Sequence, residues 1–206
     1  MAYFPFFMEL ECRPGLIVGG GAVALRKVEK LLPYGPRLTV VAPRFCPELE
    51  ARPDICRLRR PFRPEDVEGM TFVIAATGDS DVNHQVAAVC REHRIPVNVV
   101  DDRDACTFLF PALVQRGSLS VGISTGGASP TAAVHLKEQI DALLPDRFEE
   151  ILDYLEGCRE TIRREVPGEA DRARIYAALF RSCLAQNGPC TDHQLRAILE
   201  EVRHVP

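Results

Sequence analysis

Gly15-Leu16-Ile17-Val18-Gly19-Gly20-Gly21-Ala22-Val23-Ala24, residues 15–24, runs from a wholly apolar stretch through a glycine cluster into a helical pattern. Val23, Val28, Leu31 and Leu32 recur on one helical face until Pro33 and Gly35 stop it. Gly19 to Ala24 fit G-x-G-x-x-G/A in the context that motif requires, a strand before it and a helix after it. In that context Gly19 permits the tight turn, Gly21 lets backbone approach a pyrophosphate, and Ala24 lets helix and strand pack closely. The helix start, at Ala22 and Val23, then offers free N–H groups and partial positive charge to phosphates. The same residues also suit a glycine-rich turn that binds nothing.

Working outward, Leu38-Thr39-Val40-Val41 reads as a second buried strand closed by Ala42-Pro43, and 55–60 as a more exposed third. Thr71-Phe72-Val73-Ile74-Ala75-Ala76 is a fourth, 79–92 a helix, and Pro96-Val97-Asn98-Val99-Val100 a fifth strand. Apolar runs separated by helices predict a parallel sheet covered on both faces, an α/β Rossmann-like domain. Residues 108–114 and 118–123 read as extended runs around a hairpin turn at Gln115-Arg116-Gly117. Ser129-Pro130 then places an N-cap before a first-turn proline, and that helix should run to about Leu144, before Pro145. Phe148, Ile151, Leu152, Leu155, Cys158 and Ile162 mark one further amphipathic face, and Ile175, Leu179, Phe180 and Cys183 another. A last helix opens with Thr191 and Gln194 in capping-box spacing and presents Leu195, Ile198, Leu199 and Val202. The expected divisions are 1–112, 113–145 and a C-terminal helical region, 146–206.

The 206 residues carry 25 Lys+Arg against 29 Asp+Glu, a net charge of −4, which gives no global reason to bind nucleic acid or anionic membranes. No apolar run approaches the roughly 18–20 residues of a membrane span. The N-terminus lacks the basic region of an export signal. Eight cysteines, at 12, 46, 56, 90, 106, 158, 183 and 190, include no C-x-x-C, and histidines 84, 93, 135, 193 and 204 form no ligand-spaced pair. These features predict a cytoplasmic protein with reduced thiols and no resident metal site. The second strand lacks the acidic residue that holds a ribose in many dinucleotide sites: it ends Val41-Ala42-Pro43-Arg44. Residues alone therefore leave NAD against NADP open, with Arg44 either a 2′-phosphate partner or a solvated surface charge.

Further blocks accompany the glycine motif. They are Gly19 to Lys27 as G-G-G-x-V-A-x-R-K, Thr39-Val40-Val41-Ala42-Pro43, Ala75-Ala76-Thr77 with Asn83, Asn98-Val99-Val100-Asp101, Phe108 with Pro111, and Ser124-Thr125-Gly126-Gly127-Ala128-Ser129-Pro130. With these, residues 3–145 resemble the N-terminal region of siroheme synthases, a family of precorrin-2 dehydrogenases of which some are also sirohydrochlorin ferrochelatases. Beyond 145 only the helical character agrees. The resemblance implies that NAD+ takes a hydride from precorrin-2 to give sirohydrochlorin, and that some members then insert Fe2+. It implies a homodimer whose interface and substrate site draw on the segment after about 112. It also makes the missing acid of the second strand ordinary for the family, which favours NAD. The cofactor contacts expected are Gly19, Gly21, Ala22, Val23, Pro43, Arg44 and Thr77.

Asp101 lies at the carboxyl end of a parallel strand, where open α/β sheets place ligands. The resemblance marks it as the catalytic residue, and a positioned carboxylate can take the proton that dehydrogenation releases. Without the resemblance, Asp101-Asp102 reads as a strand-ending turn; Asp102 and Asp104 are the substitutes. Ser124, Thr125, Gly126 and Gly127 precede a helix start and suit the carboxylates of the substrate, although an ordinary capped connection explains them too. A polyanionic substrate needs local basic groups, and Arg26, Lys27, Arg103, Arg116 and Lys137 stand nearest the motifs, two or three of them expected in the cleft. Cys106 reads as a buried thiol. The reading is an NAD-dependent precorrin-2 dehydrogenase acting on a CH–CH group. Its alternatives are the bifunctional enzyme that also chelates iron and a non-catalytic NAD-sensing domain. No methyltransferase activity is expected of these residues.

Overall fold

A computed structural model describes residues 3–203; Met1, Ala2 and His204 lie outside the described residues, as does the side chain of Val202. The chain forms two compact units that part between Phe110 and Pro111. The first holds β1 (Pro14–Val18), α1 (Ala22–Leu31), β2 (Arg37–Val41), α2 (Pro47–Glu50), β3 (Cys56–Leu58), β4 (Phe72–Ala75), α3 (Ser80–Glu92) and β5 (Val97–Val99). The five strands are all parallel, in the order β3-β2-β1-β4-β5. This is a Rossmann-like sheet.

Strand alternation explains its two layers. Leu16, Val18, Val73, Ala75, Val97 and Val99 point to one face and pack with Val86, Ala87 and Cys90 of α3. Ile17, Leu38, Val40, Phe72 and Ile74 point to the other and pack with Ala24, Val28 and Leu31 of α1. Every residue of β4 is buried, as a central parallel strand requires; of the two edge strands β5 is also buried, whereas β3 is partly open to solvent. α1 gives way to a short 3-10 turn and closes at Gly35, whose φ of +70° a side chain rarely tolerates. α3 starts where Asp79 accepts the N–H groups of Asp81 (2.9 Å) and Val82 (3.3 Å).

The second unit holds an antiparallel hairpin, β6 (Ala112–Arg116) and β7 (Leu119–Ile123), then α4 (Pro130–Leu143), α5 (Phe148–Glu165), α6 (Glu169–Ala185) and α7 (Asp192–Arg203). The hairpin turn sits further along than the sequence suggested. β6 continues through Arg116, which pairs with Leu119, leaving the two-residue turn Gly117-Ser118. Gly117 has φ +53°, and a two-residue hairpin of type II′ takes its glycine at that first central position. Ser129 caps α4 by accepting the Ala132 N–H at 3.1 Å. The box expected at α7 forms as well: Thr191 N–H reaches Gln194 Oε1 (2.8 Å) and Gln194 N–H reaches Thr191 Oγ1 (3.3 Å). Ile151, Cys158, Ile162, Ile175, Leu179, Cys183, Cys190 and Leu199 form the core of α5–α7. Burial pushes the thiols of Cys90 and Cys183 up to about 11, so these are packing residues rather than nucleophiles.

One ion pair fixes the approach to β4. The nearly buried Asp66 carboxylate takes the Arg60 guanidinium (2.8 Å) and the Arg63 N–H (2.8 Å). The Arg60 hydrogen bonds hold Asp66 below the ordinary carboxylate value. A depressed pKa contributes stability that is complete above the unfolded value, about 3.9, and is lost as pH falls through the folded one. Asp66→Ala should therefore cost about 1–3 kcal/mol at pH 7 in urea unfolding. That cost should shrink in strong acid; one that stays constant would place the effect elsewhere.

Candidate active site

The chain leaves β1 toward β2 and later returns to place β4 on the opposite side of β1, so a crevice opens between the carboxyl ends of β1 and β4. The glycine turn fills its rim. Gly19 has φ +132°, and a Cβ there would lie 2.3 Å from the Ala76 carbonyl oxygen. A Cβ on Gly20 would lie 1.9 Å from the Arg44 carbonyl oxygen. Hydrogen bonds stitch the turn to its neighbours: Gly19 N–H to Val41 O (2.9 Å), Cys46 N–H to Gly20 O (2.7 Å) and Ala76 N–H to Val18 O (2.8 Å).

Gly21 differs. It is extended, and a Cβ there would meet no atom within 4 Å. The steric demand that the sequence pattern put on Gly21 thus falls on Gly20, while Gly21 keeps the space before α1 open. α1 begins there with no side-chain cap and no acidic residue in its first turn. Uncapped N–H groups, partial positive charge and open space fit a dinucleotide phosphate. Ala22, Pro43 and Arg44 are exposed around this opening and Val23 is half-buried. Thr77, which follows β4, is clamped by buried Asn83: Thr77 N–H donates to Asn83 Oδ1 (3.1 Å) and Asn83 Nδ2 to Thr77 O (3.2 Å).

Asp101 follows β5 on the same carboxyl edge, exposed and at φ +61°. A non-glycine residue in that region needs support. Asn98 Nδ2 donates to Phe108 O (3.0 Å), and buried Cys106 Sγ accepts the Val99 N–H (3.1 Å) while lying 3.1 Å from Asp102 O. Asp102 accepts the Ala105 N–H (3.1 Å) and stands 2.8 Å from His84 Nε2. That His84 contact, with the Ala105 N–H, holds the Asp102 carboxyl below its usual range. Asp102 is therefore committed to the turn, whereas the Asp101 side chain has no hydrogen-bond or ion-pair partner among the described residues. Asp104 is exposed, and its carbonyl takes Arg91 (3.1 Å). Sequence reading missed His84 and the bonding role of Cys106; their partners are distant along the chain, and only the Asn98 to Asp101 block hinted at the turn.

In the second unit the hydroxyls of the 124–127 loop are used locally. Ser124 Oγ accepts the Gly126 N–H (3.1 Å), and Thr125 Oγ1 bonds both the N–H (3.1 Å) and carbonyl (3.0 Å) of Ser129. Gly126 and Gly127 take φ +60° and +86°, and the Gly127 N–H has no partner among the described residues. Of the basic candidates, Arg116 pairs with Asp141 (2.8 Å), Arg26 and Arg103 are exposed, and Lys27 and Lys137 are half-buried. No group of three or more His, Cys, Asp or Glu side chains among the described residues is arranged to hold a metal ion.

Two family models match this chain: "Putative NAD(P)-binding" over residues 6–112 and "Sirohaem biosynthesis protein central" over 116–143. The chain belongs to the siroheme synthase N-terminal region family. Its first unit is accordingly an NAD(P)-binding domain with a nicotinamide dinucleotide as its cofactor class. The siroheme synthase of Thioalkalivibrio sulfidiphilus is 40% identical over 195 residues, covering 93% of this chain and 39% of that protein. That of Methylococcus capsulatus is 39% identical over 209 residues, 100% of this chain and 43% of its own length. The chain thus spans about two-fifths of the length of these curated relatives. A solved structure titled "SirC, precorrin-2 dehydrogenase" superposes with a TM-score of 0.73 at 25% identity, covering 98% of this chain and 100% of that one.

The family's glycine turn makes an internal comparison possible. Gly20→Ala drives a methyl group into backbone that no rotamer change can relieve, and should lower stability by about 1–3 kcal/mol. Gly21→Ala, with nothing nearby, should stay within about 0.5 kcal/mol of the parent. Thermal melts of both variants give the ordering; equal losses would mean that the two glycines are equivalent.

Proposed function

We propose that the chain is an NAD-dependent precorrin-2 dehydrogenase that forms sirohydrochlorin, with Asp101 as general base. The observation that carries this reading is the uncommitted Asp101 carboxylate, held on a braced turn at the same carboxyl edge as the glycine turn. The full-length likeness to a structure titled precorrin-2 dehydrogenase supports the substrate class, a polycarboxylate tetrapyrrole.

Oxidising a CH–CH unit removes a hydride and a proton. When bound, NAD+ supplies the hydride acceptor. The chain's residues do the rest. The N–H groups at Ala22 and Val23 face the phosphates across the space left by Gly21, and Gly19 shapes the turn. Pro43, Arg44 and Thr77 border the cofactor. Asp101 takes the proton. NAD is taken over NADP from the family resemblance: Val41-Ala42-Pro43-Arg44 lacks the acid that elsewhere selects NAD, and the resemblance makes that ending ordinary for an NAD enzyme.

In the second unit, Ser124, Thr125, Gly126 and Gly127 receive substrate carboxylates at the start of α4, with the free Gly127 N–H as a donor. Segment 113–145 also builds a homodimer; exposed Val134, Leu136 and Leu143 on α4 support an apolar contact there. Segment 146–206 is a helical addition. The protein works in the cytoplasm, in keeping with eight cysteines that are all free thiols, five of them buried. Fe2+, where it enters, is a substrate.

The test is anaerobic incubation with precorrin-2 and either NAD+ or NADP+, following NADH and sirohydrochlorin, then repeated with Fe2+ to read chelation. Turnover with NAD+ at least about tenfold better than with NADP+ is expected. Asp101→Asn should lower kcat by about 10²–10⁴ and leave NAD affinity within twofold. Gly21→Ala should weaken NAD binding about tenfold or more without changing the melting temperature. A folded, NAD-binding protein without turnover would make this a dinucleotide-sensing domain instead.

A further inference from the structure

Lys27 lies in the second turn of α1, and helical side chains lean toward the N-terminus of their helix. Its ammonium sits 3.8 Å from the centroid of the Phe110 ring. Phe110 is itself set by a tilted contact with Phe108 (5.6 Å between centroids), and both rings pack on the α1 face of the sheet. Apart from that ring, the ammonium has no hydrogen-bond or ion-pair partner among the described residues. The ring accepts no N–H···O bond, so the three N–H donors of this half-buried cation are left to solvent or to a ligand.

Burial lowers the Lys27 pKa to about 8. Lys30 and Arg26 of the same helix push it the same way, while Cys106 and Asp101 of the loop after β5 oppose them. The aromatic face offsets part of the desolvation cost. An anion beside the ammonium would offset the rest. The ring under Lys27 belongs to the segment after β5 that carries Asp101: Phe110 contacts Phe108, whose carbonyl takes Asn98 Nδ2 (3.0 Å), so an anion on this ammonium meets the Asp101 side of α1.

We propose that Lys27 binds a carboxylate of the tetrapyrrole substrate and thereby sets the edge of the macrocycle next to Asp101. This inference rests on the dehydrogenase reading above for its substrate class. It assigns Lys27 to substrate rather than to cofactor. The affinity for substrate should therefore fall as pH rises through the Lys27 value and the ammonium loses its proton. Cys106 is pushed up by burial, so its ionisation comes at higher pH than that of an ordinary thiol.

The experiment uses uroporphyrin, a fluorescent polycarboxylate tetrapyrrole, and NADH as separate equilibrium probes of the whole chain at pH 7 and pH 9. Lys27→Met, which keeps a stem able to stack on Phe110, should bind uroporphyrin about tenfold more weakly at pH 7 and NADH within twofold of the parent. Lys27→Arg should keep the affinity for uroporphyrin and lose the fall between pH 7 and pH 9 that the parent displays. A packing role predicts no loss in Lys27→Met and would overturn the proposal. So would an equal loss of NADH binding, which would assign Lys27 to the cofactor. Uroporphyrin binding that depends on Lys27, in a protein that fails to oxidise precorrin-2, would sustain the anion site and defeat the dehydrogenase reading alone.

Discussion

The carbonyl groups of Ala76 and Arg44 stand where the Cβ atoms of Gly19 and Gly20 would have to be. This backbone-on-backbone contact ties the end of β1 to the end of β4 on one side and to the loop after β2 on the other. It sets where α1 begins, since Gly20 is also held by the Cys46 N–H and the helix opens two residues later. An uncapped helix start is thereby delivered to the place where strand order reverses. Were the turn to relax by even the width of a methyl group, the N–H groups of the first turn would no longer converge on the crevice, because the helix is anchored to the sheet through Ala24, Val28 and Leu31.

A second constraint concerns the loop after β5. Asp101, Asp102 and Asp104 share one sequence neighbourhood, yet the fold gives them different tasks. Asp102 spends its carboxylate on His84 and the Ala105 N–H, Cys106 links the Val99 N–H to the turn, and Asn98 ties the turn to Phe108 O. These bonds brace the left-handed conformation of Asp101 without using its side chain. A carboxylate left unpaired on a braced turn suits the base proposed above, and its neighbour Asp102, already held in its ionised form, does not.

Much of this was legible in the residues. Buried parallel strands declare themselves as short apolar runs, and Ser129 and Thr191 sit where caps were expected because a cap is a local bond between residues three apart; Asp79, read as the first helical residue, is instead the cap of α3. The parts that were not legible depend on residues brought together from afar. His84 meets Asp102 across 18 positions. Gly20 rather than Gly21 is sterically obliged because of Arg44, which the motif does not mention. The hairpin turn falls at Gly117-Ser118 because strand pairing runs through Arg116, and a glycine-based turn signal alone fixes the glycine but not the register. Cys106 was read correctly as buried, but burial says nothing about which N–H its sulfur accepts.

Net acidity and an anionic ligand are reconciled by where solvent is excluded. An exposed lysine meeting a carboxylate gains little, about 0–1 kcal/mol, because water and salt screen the pair and both side chains lose freedom. Lys27 starts from a different position: its stem and ammonium are held against Phe110, and part of its hydration is already lost in the free protein. The cost of that loss belongs to folding, so an arriving carboxylate recovers energy that an exposed pair cannot. A single such group can then outweigh a formal charge of −4 spread over a screened surface. The same reasoning explains why sequence proximity to the glycine motif did not rank the five basic candidates. Arg26 and Lys27 are adjacent in the chain, but only the second turns inward onto an aromatic ring.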